Sequence, residues 1–381
     1  MPGQHALLSP SSANRWLHCT PAPRLEATEE EKSSSFADEG TLAHAICAMK
    51  LKLWLKQPTA DEEIEVARYA KYHTGEMDDY TDTYVSIVLE KYAKAKQKTK
   101  DAKLLIETRL DFTEFIPESF GTGDAVIIAD GTMEVIDFKY GKGVRVDAYQ
   151  NPQMMIYALG ALSKFSFDYR IDNVKMTIVQ PRIDNISEYE LHITDLWEWA
   201  EFTLRPKAKM AYKGEGEQKP GEWCQFCKVK ARCRKLAQLA DESCNWHADP
   251  RLITKEEMEG LLPQLPVIKT WLTGVEEFAL EQALGGTSFR GYKVVEGRSI
   301  RKIAEPEVVA CILNSEGYSD EAIFKPEELK GISDLEKVVG KKKFNELCGE
   351  YITKPLGKPT LVPESDKRPP LNAAADDFKG I

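Results

Sequence analysis

The stretch Gly121–Lys139, GTGDAVIIADGTMEVIDFK, constrains the fold more than any other part of the sequence. Asp130–Gly131 at its centre is a turn signal with residues rich in β-formers on both sides, which predicts a hairpin with a two-residue loop. In that register Asp124 and Asp137 lie directly opposite each other and share one face of the sheet. Lys139, two residues further along, points to the same face.

Two carboxylates and one ammonium group would then meet on an otherwise apolar hairpin. Like charges directly opposite each other destabilise a strand pair unless something compensates them. A divalent cation at Asp124 and Asp137, with Lys139 beside it, would compensate them. The hairpin therefore predicts a nuclease-like metal site.

Composition sets outer limits on the kind of protein. A chain of 381 residues, 42% hydrophobic and 29% charged, suits one large domain plus a smaller one, or two medium ones. It contains no apolar run of about eighteen residues, and its N-terminus lacks a basic segment followed by an apolar one, so we expect neither a membrane span nor secretion. The net charge of −10 argues against a general nucleic-acid coat protein but leaves room for a local basic groove.

The remaining pattern predicts an α/β domain with a mixed sheet covered by helices. Besides the hairpin, strands are predicted at 104–110, 174–182 and 189–193, and helices at about 36–55, 61–100, 151–165 and 194–212. A first helix ends at Cys19, and residues 24–35 are predicted as a loop. Asp38 is a candidate N-cap for the second helix, and Asn151 with Pro152 is a good helix start.

Two helical motifs place polar side chains one turn apart. Gly40 and His44 share a face of the second helix, and Gln153 and Tyr157 share a face of the helix after the hairpin. A lone helical histidine is more often a surface or core residue than a ligand. Glu107, on the strand before the hairpin, could face the metal, but one glutamate on an alternating strand is more often solvated.

A cysteine pattern indicates a second site. Cys224, Cys227 and Cys233 form C-x2-C-x5-C, a strong sign of a metal or cluster site in a reducing compartment. The fourth thiolate is not local, since Cys244 follows later and Cys19 lies far upstream. Zinc and a 4Fe–4S cluster both accept four thiolates, and the spacing does not choose between them. The basic residues around the last cysteines would suit either a phosphate backbone or an ordinary solvated face.

Together these residues resemble the PD-(D/E)xK nuclease superfamily and, more narrowly, its RecB/AddB-like branch with an iron–sulfur clasp, which includes the CRISPR-associated exonucleases. The resemblance covers roughly residues 5–240, and Asp137 stands where many relatives have Glu, which the pattern permits. The branch's split four-cysteine site is similar to Cys19 followed by the later C-x2-C-x5-C. The motifs occur in order: G-x-x-x-H at Gly40–His44, G-x-x-D at Gly121–Asp124, D-x-K at Asp137–Lys139 and Q-x-x-x-Y at Gln153–Tyr157.

The resemblance implies a restriction-endonuclease-like core, a mixed central sheet flanked by helices, with a four-cysteine Fe–S clasp and a mainly helical C-terminal extension. It assigns metal ligands, catalytic residues and cluster ligands. The ligands of Mg²⁺ or Mn²⁺ would be His44, Asp124, Asp137 and the backbone carbonyl of Phe138. The catalytic set would be Asp124, Asp137, Lys139, Gln153 and Tyr157. The 4Fe–4S cluster, or alternatively Zn²⁺, would be held by Cys19, Cys224, Cys227 and Cys233.

The activity implied is that of a metal-dependent deoxyribonuclease, an exonuclease on single-stranded or frayed DNA ends in phage recombination or replication. DNA and phage replication or recombination proteins would be its partners. The alternative is a non-catalytic DNA-binding or scaffold protein on a nuclease fold. The segments HALLSPSSANRWLHC and PGEWCQFCK are also similar to sequences of a phage and prophage family known as domain of unknown function 2800. We therefore expect a phage- or prophage-encoded protein in the cytoplasm of a bacterial host.

We expect three segments along the chain. Residues 1–245 would form the nuclease domain with its clasp, and residues 246–354 an accessory region without an assigned chemical role. Residues 355–381, polar and rich in proline, would form an extended or disordered tail.

Overall fold

The computed structural model describes residues 6–29, 34–244 and 252–292. Residues 1–286 form one compact unit, and residues 287–381 form a second, of which 287–292 are described. The predicted domain boundary at residues 245 and 246 lies outside the described residues, as do the predicted tail and most of the predicted accessory region. That division of the chain stays a prediction.

A five-stranded mixed sheet forms the centre of the first unit, with the strands in sequence order across it. The strands are β1 (Lys103–Asp111), β2 (Phe120–Ala129), β3 (Gly131–Phe138), β4 (Ile171–Gln180) and β5 (Asn185–His192). Neighbouring strands are antiparallel except for β3 and β4, which run parallel. The predicted mixed sheet is thereby confirmed.

Helices cover the sheet. They are α1 (Ala13–His18), α2 (Ala22–Glu26), α3 (Ser35–Trp54), α4 (Ala60–Arg68), α5 (Gly75–Lys98), α6 (Pro152–Phe165), α7 (Ile193–Trp199), α8 (Arg205–Lys213), α9 (Arg234–Cys244), α10 (Lys255–Leu261) and α11 (Leu265–Leu284). A π-helical segment, Ala200–Leu204, joins α7 to α8. Across the described ranges, no helix combines the length and the apolar character that crossing a membrane requires.

The hairpin of β2 and β3 has the predicted register. Its antiparallel ladder runs from the loop to the pair formed by Ala125 and Ile136. One step further, the side chain of Asp124 accepts a hydrogen bond from the backbone N–H of Phe138 at 2.8 Å. Gly131 in the turn has a φ of 82°, a conformation that glycine adopts without steric cost. The local Asp-Gly signal was therefore sufficient to predict this pairing.

Two hydrophobic cores enclose the sheet, one on each face. The first contains α6 together with Trp16 of α1 and Leu196 of α7, and the second contains Leu42 of α3 and Tyr84 of α5. The connection between the parallel strands β3 and β4 passes through α6. The start of α6 consequently lies beside the end of β3, where the predicted site residues are found.

Two predicted boundaries were wrong. Part of the predicted loop belongs to α2, because Pro23 occupies the first turn of a helix, where its missing N–H costs nothing. The N-cap of α3 is Ser34 rather than Asp38, and its side chain accepts a hydrogen bond from the N–H of Ala37 at 3.2 Å.

Candidate metal centre

A hydrogen-bonded ring joins the end of β3 to the start of α6. Lys139 Nζ lies 2.9 Å from Asp137 Oδ2 and donates a hydrogen bond to Gln153 Oε1 at 3.1 Å. Gln153 Nε2 in turn donates to Asp137 Oδ1 at 3.1 Å. The structure thus brings three of the predicted catalytic residues into direct contact.

The first turn of α6 positions Gln153. Asn151 caps the helix by accepting hydrogen bonds from two backbone N–H groups at 3.1 and 3.3 Å, with Pro152 as the first helical residue. Tyr157, one turn further on, lies on the same face of α6 as Gln153. A Cβ on Gly121 would lie 3.2 Å from Tyr157 Cε1, so the glycine allows β2 to approach this ring closely.

His44 reaches the end of β2 from α3. Its Nδ1 lies 3.4 Å from Asp124 Oδ1, and its ring meets the ring of Phe138 edge-on with the centroids 5.2 Å apart. The other carboxylate oxygen of Asp124 accepts the backbone N–H of Phe138. The histidine of the first motif and the aspartate of the second are therefore neighbours in the fold.

Glu107 is a site residue whose predicted exposure to solvent was wrong. Its carboxylate, His44 and Asp124 each offer one ligand atom, and these atoms all lie within 4.8 Å of one another. Glu107 has a φ of 47°, which is rare and strained for a non-glycine residue. Ile106 on one side of it belongs to the core under α3, whereas Leu110 on the other side belongs to the opposite core. The strand therefore changes face near Glu107, and simple alternation could not predict where this side chain points.

The half-buried His44 and Glu107 have strongly shifted pKa values. Burial alone would lower the pKa of His44, but the charge of Asp124 and its contact with the imidazole raise it to about 9. Burial, helped by the charge of Asp124, raises the pKa of Glu107 to about 8. In the absence of a cation both groups hold a proton at neutral pH, so cation binding to them would release protons.

Lys139 and Asp137 form a buried pair. Burial raises the pKa of Asp137 in spite of the neighbouring ammonium group. Burial acts to lower the pKa of Lys139, but the carboxylate of Asp137 outweighs it and raises that pKa. Lys139 is therefore a fixed positive charge. Burial also raises the pKa of Tyr157, so its phenol stays neutral and acts as a hydrogen-bond donor or acceptor rather than as a base.

The residues present fit a divalent cation. Carboxylate oxygens suit Mg²⁺ and Mn²⁺, and an imidazole ligand is better tolerated by Mn²⁺. Asp137 Oδ2 is buried and lies 2.9 Å from the ammonium group of Lys139. A bound cation would share this oxygen with Lys139, because a carboxylate oxygen can accept more than one partner.

Three of the candidate ligands open on a cleft of about 830 Å³ between α3, α4, β1 and β2. His44, Glu107 and Asp124 line it, and so does Gly40 on α3. A Cβ on Gly40 would meet nothing within 4 Å, so this glycine leaves space at the wall of the cleft. The G-x-x-x-H motif thus contributes both a candidate ligand and open room beside it.

The four predicted cluster ligands line one separate cavity, although no three of their sulfur atoms lie within 4.8 Å of one another in the described part of the chain. Cys19, Cys224, Cys227 and Cys233 all line it, and all are free cysteines. Burial raises the pKa of Cys19 and Cys224, and it raises the pKa of Cys227 to about 12. Such thiols keep their protons until a metal displaces them.

Further contacts join the N-terminal helices to the cysteine segment. The rings of His18 and Trp223 stack with their centroids 4.0 Å apart. The backbone N–H of Lys228 donates to Glu26 Oε1 at 2.8 Å, and Glu26 also pairs with Arg15 at 2.9 Å. The two regions are therefore held together by side chains as well as by the placement of the cysteines.

Comparison with known proteins identifies a family. The model of the family described as protein of unknown function (DUF2800) matches residues 5–369. Among solved structures, 18 chains match. One of them is the crystal structure of SSO0001, whose sequence is 15% identical to this chain. The match covers 58% of this chain and 96% of that chain, with a TM-score of 0.23. A TM-score this low does not establish a shared fold. The family match spans nearly the whole sequence and confirms the predicted family number, so the chain belongs to the DUF2800 family of proteins of unknown function.

Proposed function

We propose that the protein is a divalent-metal-dependent DNA nuclease of the PD-(D/E)xK type, related to the RecB/AddB-like branch. The observation that carries the proposal is the ring formed by Asp137, Lys139 and Gln153. Asp124 and His44 lie beside that ring and face an open cleft. A purely structural ion pair on a sheet requires neither a histidine from another helix nor a cleft.

The chain would hold Mg²⁺ or Mn²⁺ with His44, Asp124, Asp137 and the carbonyl oxygen of Phe138. A cation there neutralises negative charge on a phosphate and lowers the pKa of a bound water. The protein's own contribution is to fix the ligands. The Phe138 N–H orients Asp124, and the amide of Gln153 orients Asp137.

Lys139 supplies a permanent positive charge next to the scissile phosphate. Its raised pKa keeps the ammonium group protonated, and Asp137 with Gln153 fixes its position. A preorganised charge of this kind stabilises the negative charge that develops in the transition state. Gln153 is a positioning residue, because its amide contacts both Lys139 and Asp137. Tyr157, on the same face of α6, would position the water network or the DNA strand.

A groove next to the cleft supports single-stranded or frayed DNA ends as the substrate. Ser11 lines both the cleft and a second groove, which also involves Arg15, Phe226 and Lys228. Phe226 is 67% exposed, and aromatic rings beside basic side chains are typical surfaces for stacking the bases of single strands. We accordingly propose an exonuclease that serves phage recombination or replication, with proteins of those processes as partners.

We propose a 4Fe–4S cluster at Cys19, Cys224, Cys227 and Cys233, with Zn²⁺ as the alternative at the same thiols. Their common cavity and their lack of disulfides support it. When bound, the group would supply a covalent tie between the start and the end of the domain. Iron and sulfide analysis with an absorption spectrum after anaerobic purification would test this. Stoichiometric zinc without iron would favour the alternative.

Cleavage of end-labelled DNA tests the proposed activity. Anaerobically purified protein with Mn²⁺ or Mg²⁺ is expected to degrade single-stranded or frayed DNA, and Asp137→Ala is expected to abolish the reaction. Asp172→Ala is the matched control, because Asp172 lies near the opposite end of the parallel strand pair in a surface contact with Arg170. If metal-loaded wild-type protein leaves every DNA substrate intact, the proposal is wrong. DNA binding without cleavage, unchanged in Asp137→Ala, would instead indicate a non-catalytic binding protein.

A further inference from the structure

A basic loop (residues 141–146, GKGVRV) follows the end of β3. Its two charged side chains, Lys142 and Arg145, are exposed, and neither forms an ion pair with another described residue. Lys142 lies three residues beyond Lys139, so their Cα atoms are at most about 11 Å apart. The loop therefore adds positive charge in the neighbourhood of the ammonium group that the proposed function places at the scissile phosphate.

The side chain of Gln180 fixes the backbone of this loop. Gln180 ends β4 and is 1% exposed. Its Nε2 donates to the carbonyl oxygens of Gly141 at 2.5 Å and Val144 at 2.8 Å. Its Oε1 accepts a hydrogen bond from the backbone N–H of Val146 at 3.2 Å. One buried amide thus binds three backbone groups of the basic loop.

The start of β5 holds the same segment from a second side. Asn185, which is also 1% exposed, donates from Nδ2 to the carbonyl oxygen of Val146 at 2.8 Å and to Gln180 Oε1 at 3.2 Å. Ser187 Oγ accepts the backbone N–H of Ala148 at 2.9 Å, just beyond the loop. The backbone of the loop is therefore fixed by two strands, while its charged side chains remain exposed.

The basic loop lies where the parallel strand pair ends. Phe138 and Val179 are partners at the ends of β3 and β4, and the backbone N–H of Lys139 donates to the carbonyl oxygen of Val179 at 2.9 Å. Tyr140 is buried, and the guanidinium group of Arg182 lies 4.6 Å from the centroid of its ring. Ligands commonly bind outside the carboxyl ends of parallel strands, and the loop occupies that position here.

We propose that the basic loop binds the phosphate backbone of the DNA strand, with Lys142 and Arg145 contacting phosphates next to the one at Lys139. This inference deepens the proposed function and rests on it. Gln180 and Asn185 are positioning residues, because they hold the backbone of the loop. Contacts of lysine and arginine with phosphates set the register of a strand without reading its sequence. A loop that is fixed before binding loses little conformational entropy when DNA binds.

Salt-dependent binding of a labelled single strand tests the loop. Fluorescence anisotropy is measured with full-length protein in Mn²⁺, in the Asp137→Asn background so that the DNA stays intact. Lys142→Ala/Arg145→Ala is expected to lower the DNA affinity on the order of tenfold at about 0.1 M salt. The slope of the logarithm of affinity against the logarithm of salt concentration should fall by about 1.4, because each phosphate contact on a single strand contributes about 0.7.

The matched control is Lys100→Ala/Arg170→Ala, which also removes one lysine and one arginine. Both residues are exposed and lie at the opposite end of the sheet. The backbone N–H of Gly131 donates to the carbonyl oxygen of Arg170 at 2.7 Å, and the N–H of Asp130 donates to Thr99 Oγ1, beside Lys100, at 3.1 Å. This control should leave both the affinity and the salt slope unchanged.

A double-mutant cycle tests the positioning role of Gln180. Gln180→Met keeps an unbranched side chain of similar size but loses the hydrogen bonds to the loop, so it should lower the DNA affinity and the salt slope. In the Lys142→Ala/Arg145→Ala background it should cause no further loss, because the charges that it positions are absent. If Gln180→Met fails to fold, as judged by circular dichroism, Asn185→Ala takes its place in the cycle.

Equal DNA affinity of the loop variant and the control overturns the inference. A loss of affinity from Gln180→Met that is as large without the two basic side chains overturns the positioning role. The outcome is separable from the proposed function. Wild-type protein that cuts DNA while the loop variant binds normally contradicts only the inference, whereas DNA binding that depends on the loop, without cleavage by the wild type, supports the loop and contradicts the nuclease.

Discussion

Individual residues at this site are defined by what their polar atoms contact. Burial would raise the pKa of both aspartates, yet His44 and the Phe138 N–H lower the pKa of Asp124, while the pKa of Asp137 remains raised. Asp124 therefore stays ionised more readily than Asp137. A divalent cation would favour the ionised form of both carboxylates, because it adds positive charge beside them.

Proton binding at His44 and Glu107 predicts a pH dependence. The folded pKa of His44 is about 9 against an ordinary value of 6.5, and the folded pKa of Glu107 is about 8 against an ordinary value of 4.5. The folded, cation-free protein binds more protons than the unfolded chain, so their contribution to stability is lost as the pH rises through about 8 and then about 9. Mn²⁺ competes with these protons, and its affinity should rise over the same range. Thermal unfolding with and without Mn²⁺ from pH 6 to pH 9 measures both effects, and a Mn²⁺ stabilisation that does not grow with pH would contradict the assignment.

The two motif glycines predict opposite responses to alanine. A Cβ at Gly121 would lie 3.1 Å from Phe112 and 3.2 Å from Tyr157, so Gly121→Ala should destabilise the fold by about 1–3 kcal/mol through overpacking. A Cβ at Gly40 meets nothing, and within α3 Gly40→Ala should raise stability by up to about 1 kcal/mol. Urea unfolding of the two variants checks this. If both substitutions change the free energy of unfolding equally, close packing does not explain why glycine occurs at position 121.

At the scale of elements, local signals predicted the hairpin and the start of α6, because Asp130–Gly131 and Asn151–Pro152 specify a turn and a helix start by themselves. The direction of Glu107 was not predictable, because it depends on a positive φ within β1 that only the packing of neighbouring elements can impose. The loop prediction for residues 24–35 missed the end of α2, which starts with Pro23 in its first turn, a position where proline is well placed. Contacts between distant elements are thus what the sequence could not supply.

The proposed cluster would tie the N-terminal helices to the cysteine segment, so its removal is expected to cause a partial loss of stability. A crosslink closing a loop of about 200 residues is worth about 5 kcal/mol in the chain-entropy model. Cys19→Ser should lose iron and stability by up to about that amount, yet stay folded, because the His18–Trp223 stack and the Glu26–Lys228 hydrogen bond remain. Iron analysis and chemical denaturation measure both quantities. Cys47→Ser is the control, because Cys47 is a buried thiol on α3 that does not line the cavity of the four cysteines, and this variant should keep its iron. Loss of iron in both variants would contradict the assignment of Cys19 as a cluster ligand.

At the scale of the whole molecule, the enclosed sheet brings distant motifs to one cleft. His44 comes from α3, Glu107 from β1 and Asp124 from β2. Gln153 of α6 contacts Asp137 at the end of β3. Two cores hold these elements in place from opposite faces, so the site is carried by rigid structure rather than by a loop. The net charge of −10 is compatible with DNA binding, because DNA responds to the local electric field. Bound cations and the groove beside Phe226 and Lys228 would supply local positive charge.

The central claim is that Asp137 takes part in metal-dependent cleavage of DNA. Its most direct test is the single-turnover cleavage rate of an end-labelled single strand at saturating Mn²⁺, for wild-type protein, Asp137→Asn and the control Asp172→Asn. We predict metal-dependent cleavage by the wild type and the control, and a rate lower by at least about a hundredfold for Asp137→Asn with DNA binding retained. Equal rates for the wild type and Asp137→Asn, or cleavage that persists in EDTA, would contradict it.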